Sequence, residues 1–189
     1  MTKEMSTDLV SLDKKRMSEY KKFAVMFSYP NDEFFSFFPN LFTEKEKICL
    51  EYDELFRANK VWLYGTEHIS SNEFQKSKHL SDIMGFYRAF GVEPTNDRPD
   101  LLSSELEFMY YLIFKKLKAS EIKAKAMAEE KTFICCDAQK KFFSKHLWQS
   151  AKNISENIIS RTKNDFYATT AKQFIKFLKS EKKFLQLKS

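Results

Sequence analysis

The chain has 189 residues and a formal net charge of +6, with only three glycines and four prolines but twenty phenylalanines. That length suits one well-buried core, while the scarcity of glycine and proline argues against a turn-rich β architecture and excludes the phosphate cradles Gly-x-Gly-x-x-Gly and Gly-x-x-x-x-Gly-Lys-Ser/Thr. Six lysines against one glutamate in residues 170–189 carry most of the positive charge, so the basicity belongs to the C-terminal stretch and not to the whole chain.

Residues 8–29 read as an amphipathic helix, with Leu9, Leu12, Met17, Tyr20, Ala24 and Phe27 near helical spacing and Tyr29-Pro30 as its stop. The run Phe34-Phe35-Ser36-Phe37-Phe38-Pro39 predicts a short helical piece packed into the core. A helix over 43–58 follows, then a loop over 59–72 turning at Gly65. Residues 73–90 predict another helix, with Gly91 placed to supply the left-handed residue beyond its end. Val92 to Arg98, containing Pro94, Asn96 and Asp97, reads as a loop and a candidate hinge within a single domain spanning 1–189. Pro99 and Asp100 then read as the start of a helix running through Leu117. The pattern continues with helices at Ala119–Glu130, Phe133–Leu147 and Ile154–Ile159, and a last one from Asp165 toward Leu187. The fold class is all-α, a single-domain helical bundle.

Within the helix after Pro99, one stripe holds Leu102, Leu106, Met109 and Ile113. At about 100° per residue, Glu105 falls inside that apolar arc, whereas Glu107 faces the polar side. A carboxylate facing the core needs a hydrogen-bond partner, a cation or a raised pKa. Two readings stay open for Glu105: an internal pair with Arg88, Arg98 or His146, or a groove carboxylate that awaits a cation. Asp100 likewise reads either as a helix cap or as a groove carboxylate.

Catalytic and metal chemistry find little support. Cys49, Cys135 and Cys136 form no Cys-x-x-Cys, and His68, His79 and His146 lack metal-ligand spacing. No Gly-x-Ser-x-Gly elbow is present. The expectation is a protein that is not an enzyme, with no metal and no cofactor of its own. Met1 to Val10 is polar and no run approaches 18 apolar residues, so a cytoplasmic protein without stable membrane insertion is expected. Two acidic segments, 44–54 and 96–108, each sum to −3 and could offer a negative field to a cationic partner.

The stretch Arg98-Pro99-Asp100 followed by Glu105-Leu106-Glu107-Phe108-Met109 resembles the signature of the TorD/DmsD/NarJ-type redox-enzyme maturation chaperones. Tyr87, Ala89, Phe90 and Gly91 resemble the helix end before it. Tyr52-Asp53-Glu54-Leu55-Phe56 resembles the family's aromatic-x-x-Leu-Phe element, Leu63-Tyr64-Gly65-Thr66-Glu67-His68 its following loop, and Phe142-Phe143-Ser144-Lys145-His146-Leu147 its Phe-x-x-x-His-Leu helix. The resemblance implies a TorD-like bundle acting as a cytoplasmic chaperone. Its partner would be the catalytic subunit precursor of a molybdenum-containing oxidoreductase, bound through the twin-arginine signal peptide or an equivalent N-terminal segment and assisted in cofactor insertion before export. It implies a peptide groove at Tyr52, Leu55, Phe56, Trp62, Tyr64, Asp100 and Leu101, and a monomer or helix-exchanged dimer. Leu101 departs from the family, which has histidine there, so an imidazole role is lost. The alternative is a helical nucleic-acid-binding regulator using Lys172, Lys176, Lys179, Lys182 and Lys183 against phosphates. Against it, these lysines alternate with Phe174, Ile175, Leu178 and Leu185, the pattern of a core helix with a solvated face.

Overall fold

A computed structural model of the chain describes residues 2–58, 60–94, 98–162 and 165–187, with side chains from Asp8 onward. The order is α1 Thr2–Met26, α2 Asp32–Phe37, a 3-10 stretch Pro39–Glu44, α3 Lys45–Tyr52 continuing into a π turn Asp53–Arg57, a 3-10 turn Gly65–His68, α4 Glu73–Ala89 and α5 Leu102–Ser120. Then come α6 Lys125–Phe142, a second π turn Phe143–Leu147, α7 Trp148–Arg161 and α8 Asp165–Phe184. The architecture is the all-α bundle expected, with α1 lying along α5, α5 along α6 and α7 along α8.

Local chemistry explains several boundaries. The Asn31 side chain accepts from Phe34 N at 3.1 Å and starts α2, whose Phe34 and Phe35 enter the core while Phe37 stays outside. Asn72 caps α4 in the same way, accepting from Gln75 N at 2.9 Å. At the other end Gly91 adopts φ +72°, its N–H bonds Arg88 O at 3.0 Å, and the Val92 N–H bonds Tyr87 O at 3.0 Å. That pair of bonds is the left-handed stop expected at Gly91. The proposed hinge over 92–98 begins there, and its centre, 95–97, lies outside the described residues.

Two expectations on helix bounds are corrected. Residues 119–130 and 133–147 are not two helices: α5 runs on to Ser120, the break falls at 121–124, and α6 crosses 131–132 without interruption. Lys131-Thr132 contains no breaker, and the ion pairs Lys125–Glu129 and Asp137–Lys141 support α6 on both sides of it. Asp100 does not cap α5: the cap position is Leu101, at φ −66° and ψ 128°, and it offers no side-chain bond.

Aromatic rings hold the layers together. Phe23 of α1 and Phe27 just beyond its end meet Phe174 of α8 at centroid separations of 4.8 and 5.1 Å. Phe108 of α5 meets Tyr87 of α4 and Phe142 of α6, each at 4.8 Å. Between these clusters lies a buried polar network that periodicity had not singled out. Arg16 donates from Nε and Nη2 to both oxygens of Glu181 at 2.8 Å each, from Nη1 to Asp13 at 2.8 Å, and from Nη2 to Gln139 at 3.1 Å. Tyr20 donates to Glu181 at 2.8 Å, and Lys116 lies 2.6 Å from Asp13. The network therefore bolts α1, α5, α6 and α8 together. Among the described residues no helix is long and apolar enough to cross a membrane.

Candidate functional site

The loop after the first π turn is stitched to the start of α5. Tyr64 and Leu101 form an isolated antiparallel bridge, Gly65 N donates to Asp100 O at 2.8 Å, and Leu102 N donates to Leu63 O at 2.8 Å. The fully buried Asp100 carboxylate completes the clasp. Its Oδ2 accepts from Thr66 N at 2.9 Å, Thr66 Oγ1 at 2.6 Å and Arg98 Nη2 at 2.9 Å, and its Oδ1 accepts from Arg98 Nε at 3.0 Å. Asp100 thus caps the 3-10 turn at Gly65–His68 from a distant part of the chain. Arg98 also donates to Glu67 at 2.6 Å and to Thr66 Oγ1 at 2.8 Å, and its guanidinium lies 4.5 Å over the Tyr64 ring. The bond from Arg98, followed by that from Lys76 at 3.0 Å, holds the Glu67 carboxyl below its ordinary range.

The far side of the loop is held by His68. Its Nε2 lies 2.7 Å from the Trp62 carbonyl, which can only accept, so the proton sits on Nε2. Asn153 of α7 donates to His68 O at 3.0 Å. The clasp fixes a short segment whose aromatic side chains face outward.

A recess of about 260 Å³ opens beside that segment. Five expected residues line it: Tyr52, Phe56, Trp62, Tyr64 and Leu101. Tyr52 and Phe56, four residues apart, stack edge to face at 4.8 Å. Trp62 and Tyr64 lie 6.2 Å apart, with Trp62 43 % exposed at the rim. Tyr29, Arg57 and Leu63 also line the recess and were not foreseen. Tyr29 read only as a helix stop, yet it meets Tyr52 at 5.3 Å.

Two expected site residues are placed elsewhere. Leu55 is in the core, because one position before Phe56 turns it about 100° away from the recess. Asp100 lies beneath the loop with its carboxylate oxygens occupied internally. The two acidic segments also differ. Asp53 and Glu54 belong to the π turn that also carries Phe56 and Arg57, and pair with Arg57 at 3.1 Å and Lys60 at 3.7 Å. In the second segment Asp100 is consumed by the clasp, and Glu107 pairs with Lys21 at 2.9 Å on another face. Asp97 lies outside the described residues.

Glu105 corrects the expectation of an internal pair. It is 1 % exposed, and neither carboxylate oxygen has a hydrogen-bond partner among the described residues. Arg98 is engaged by Asp100 and Glu67, Arg88 lies 3.8 Å from Glu93 at the surface, and His146 bonds Asp82 at 2.9 Å. Burial, reinforced by the charge of Asp100, pushes the Glu105 carboxyl well above the usual carboxylate range. Glu105 sits under Gly65, where an added Cβ would meet Ser150 Cβ at 3.2 Å and Glu105 Oε2 at 3.5 Å. The glycine therefore permits the close approach of loop, α5 and α7.

A testable consequence follows for pH. A carboxyl kept protonated in the fold, but free to ionise near pH 4.3 in the unfolded chain, contributes fully only below that value. Its contribution falls as pH rises toward the folded pKa, because the native state then holds a proton that the unfolded chain has released. Glu105→Gln cannot ionise, so it is expected to raise Tm at pH 8, leave Tm nearly unchanged at pH 4, and flatten the loss between them. Equal shifts at both pH values would contradict a protonated Glu105. Burial also lowers His146 to about 4 despite its bond to Asp82, so its imidazole is neutral at pH 7.

No group of three or more His, Cys, Asp or Glu side chains among the described residues could hold a metal ion. Among curated proteins none matches the chain. The family described as the nitrate reductase delta subunit matches residues 42–153, more than half of the chain and the whole segment from the Phe42 turn through the recess and clasp to α7. The protein belongs to this family. Nitrate reductase delta proteins of the NarJ/TorD type are chaperones of molybdoenzyme maturation, not catalysts. Within the delta-family match lie the clasp, both π turns and Glu105, whereas α1 with Tyr29 and α8 fall outside it.

Proposed function

We propose that the protein binds the signal region, or an equivalent N-terminal segment, of a molybdenum-containing oxidoreductase in the aromatic recess. It acts in the cytoplasm, holding the apoprotein competent for cofactor insertion before export. The observation that supports this most is the convergence of Tyr52, Phe56, Trp62, Tyr64 and Leu101, from three separate chain segments, on one recess whose Arg57 pairs with Asp53. Aromatic rings with polar ends suit a groove that takes an amphipathic segment and releases it later. The rigid backing from Asp100 and His68 lowers the ordering cost of the rim on binding.

The comparisons lend no support to the nucleic-acid alternative, and α8 buries Tyr167, Ala171, Phe174 and Leu178, leaving its lysines as the solvated side. Co-purification identifies the partner enzyme, and calorimetric titration of its N-terminal peptide tests the site. Trp62→Ala is expected to weaken binding by about 1–3 kcal/mol, as for an aromatic anchor, with little change in Tm because Trp62 is half exposed. Lys172, Lys176 and Lys179 changed together to serine should leave the affinity alone. Retained affinity in Trp62→Ala, with loss in the lysine variant, would reject the recess.

A further inference from the structure

The recess already contains a guanidinium. Arg57 lies 4.1 Å over the Tyr29 ring and 3.1 Å from Asp53 Oδ1, four residues earlier on the π turn. It stands at the head of an edge-to-face series, Tyr29 to Tyr52 at 5.3 Å and Tyr52 to Phe56 at 4.8 Å. The second guanidinium at the site, Arg98 over Tyr64, is held in a different way. Arg98 donates to Asp100, Glu67 and Thr66, and its side chain is 35 % exposed. The Arg57 side chain is 60 % exposed, and its carboxylate partner Asp53 is 42 % exposed. Arg98 is part of the scaffold. Arg57 is held by one ring face and by an ion pair to Asp53 Oδ1, an oxygen that is itself covered and makes no hydrogen bond, on a carboxylate otherwise open to solvent. These contacts together favour its place by only about three- to tenfold.

We infer that Tyr29 and Asp53 form an arginine-binding station, filled by Arg57 in the free protein and yielded to an arginine of the bound segment. This rests on the recess being the peptide site. Exchange of one guanidinium for another keeps the Asp53 carboxylate paired and the Tyr29 face covered, so no charge is stranded when the peptide closes over the recess. An incoming arginine on a segment whose apolar residues already occupy the recess competes as a tethered group, at high effective concentration. A neutral side chain has no such exchange to offer, because Asp53 and Tyr29 retain Arg57. Lysine lacks the flat face that stacks on the ring. The station of Tyr29 and Asp53 therefore makes the recess selective for arginine-bearing segments, and Arg57 is an intramolecular competitor that moderates their affinity.

The test uses the full chain and two synthetic peptides: two arginines followed by an apolar helical segment, and the same peptide with both arginines replaced by glutamine. Arg57→Gln is expected to bind the arginine peptide about three- to tenfold more tightly, with the glutamine peptide unchanged. In the Arg57→Gln background, where no competitor shares the carboxylate, Asp53→Asn is expected to weaken the arginine peptide by a similar factor and again spare the glutamine peptide. An Arg57→Gln protein that binds the arginine peptide more weakly, or shows the wild-type ratio between the two peptides, overturns the station while leaving the recess intact. If neither peptide binds the wild type, or if Trp62→Ala binds both with wild-type affinity, the recess reading fails and the station falls with it.

Discussion

Glu181→Ala is expected to destabilise the protein by about 3–5 kcal/mol, the cost of leaving a buried charge without its partner. Glu181 and Arg16 are 2 % and 4 % exposed, and they meet through two parallel bonds of 2.8 Å, with Tyr20 adding a third to the same carboxylate. Removing the carboxylate leaves Arg16 with the neutral Gln139 and a charged partner, Asp13, which is already shared with Lys116 at 2.6 Å. The Tyr20 hydroxyl, buried among the rings of α1 and α8, also loses its acceptor. Denaturant unfolding of Glu181→Ala measures the effect. The double variant Arg16→Met/Glu181→Leu should recover much of the loss, because an apolar pair of similar size needs no counter-charge. A loss below about 1 kcal/mol in the single variant would mean that water reaches the network and screens it.

The second large effect is expected at Asp100. Asp100→Asn keeps an acceptor for the Thr66 amide but forfeits the charge that holds Arg98, so stability should fall by about 1.5–3 kcal/mol, the worth of hydrogen bonds to a charged group. The loss should be local before it is global. Hydrogen exchange at the Gly65 and Thr66 amides, which donate to Asp100 O and Oδ2 at 2.8 and 2.9 Å, is expected to accelerate more than exchange in α5. Peptide affinity should fall as well, since Trp62 and Tyr64 are aimed by the segment that this carboxylate clasps. Unchanged exchange and unchanged stability, with binding lost, would instead make Asp100 a direct contact for the ligand.

Helical periodicity, caps and stops could be read in one dimension. The composition pointed to an all-α chain, Gly91 announced a left-handed stop, and the aromatic residues at 52, 56, 62 and 64 marked the recess through their resemblance to a chaperone family. Local rules suffice there, because a cap or an apolar stripe involves residues within a turn or two of each other. The uninterrupted course of α6 was harder to read: tertiary burial of Cys135, Ala138 and Phe142 against α5 carries the helix through a polar stretch that looked like a gap. A signal for the buried network was also present. Asp13, Arg16, Tyr20 and Phe23 share one phase of α1, and Phe174, Leu178 and Glu181 share one phase of α8. Each charge occupies a core position, as Glu105 does on α5.

What periodicity can show is that such a charge is buried. It cannot show what the charge meets there, because the partner lies far away along the chain. Glu181 lies 165 residues from Arg16, and Asp100 lies 34 from Thr66. Glu105 was legible as a buried carboxylate, yet three cations stood as candidate partners and the fold assigns each of them elsewhere. The same holds at the recess. The aromatic residues could be picked out singly, but the inward turn of Leu55, the arrival of Tyr29 from the end of α1 and the placing of Arg57 over its ring depend on how α1, the π turn and the clasped loop converge. Sequence determined which residues form helices and which positions are buried; tertiary structure alone decided the pairing of charges and the company of rings, since both depend on distances that no local spacing encodes.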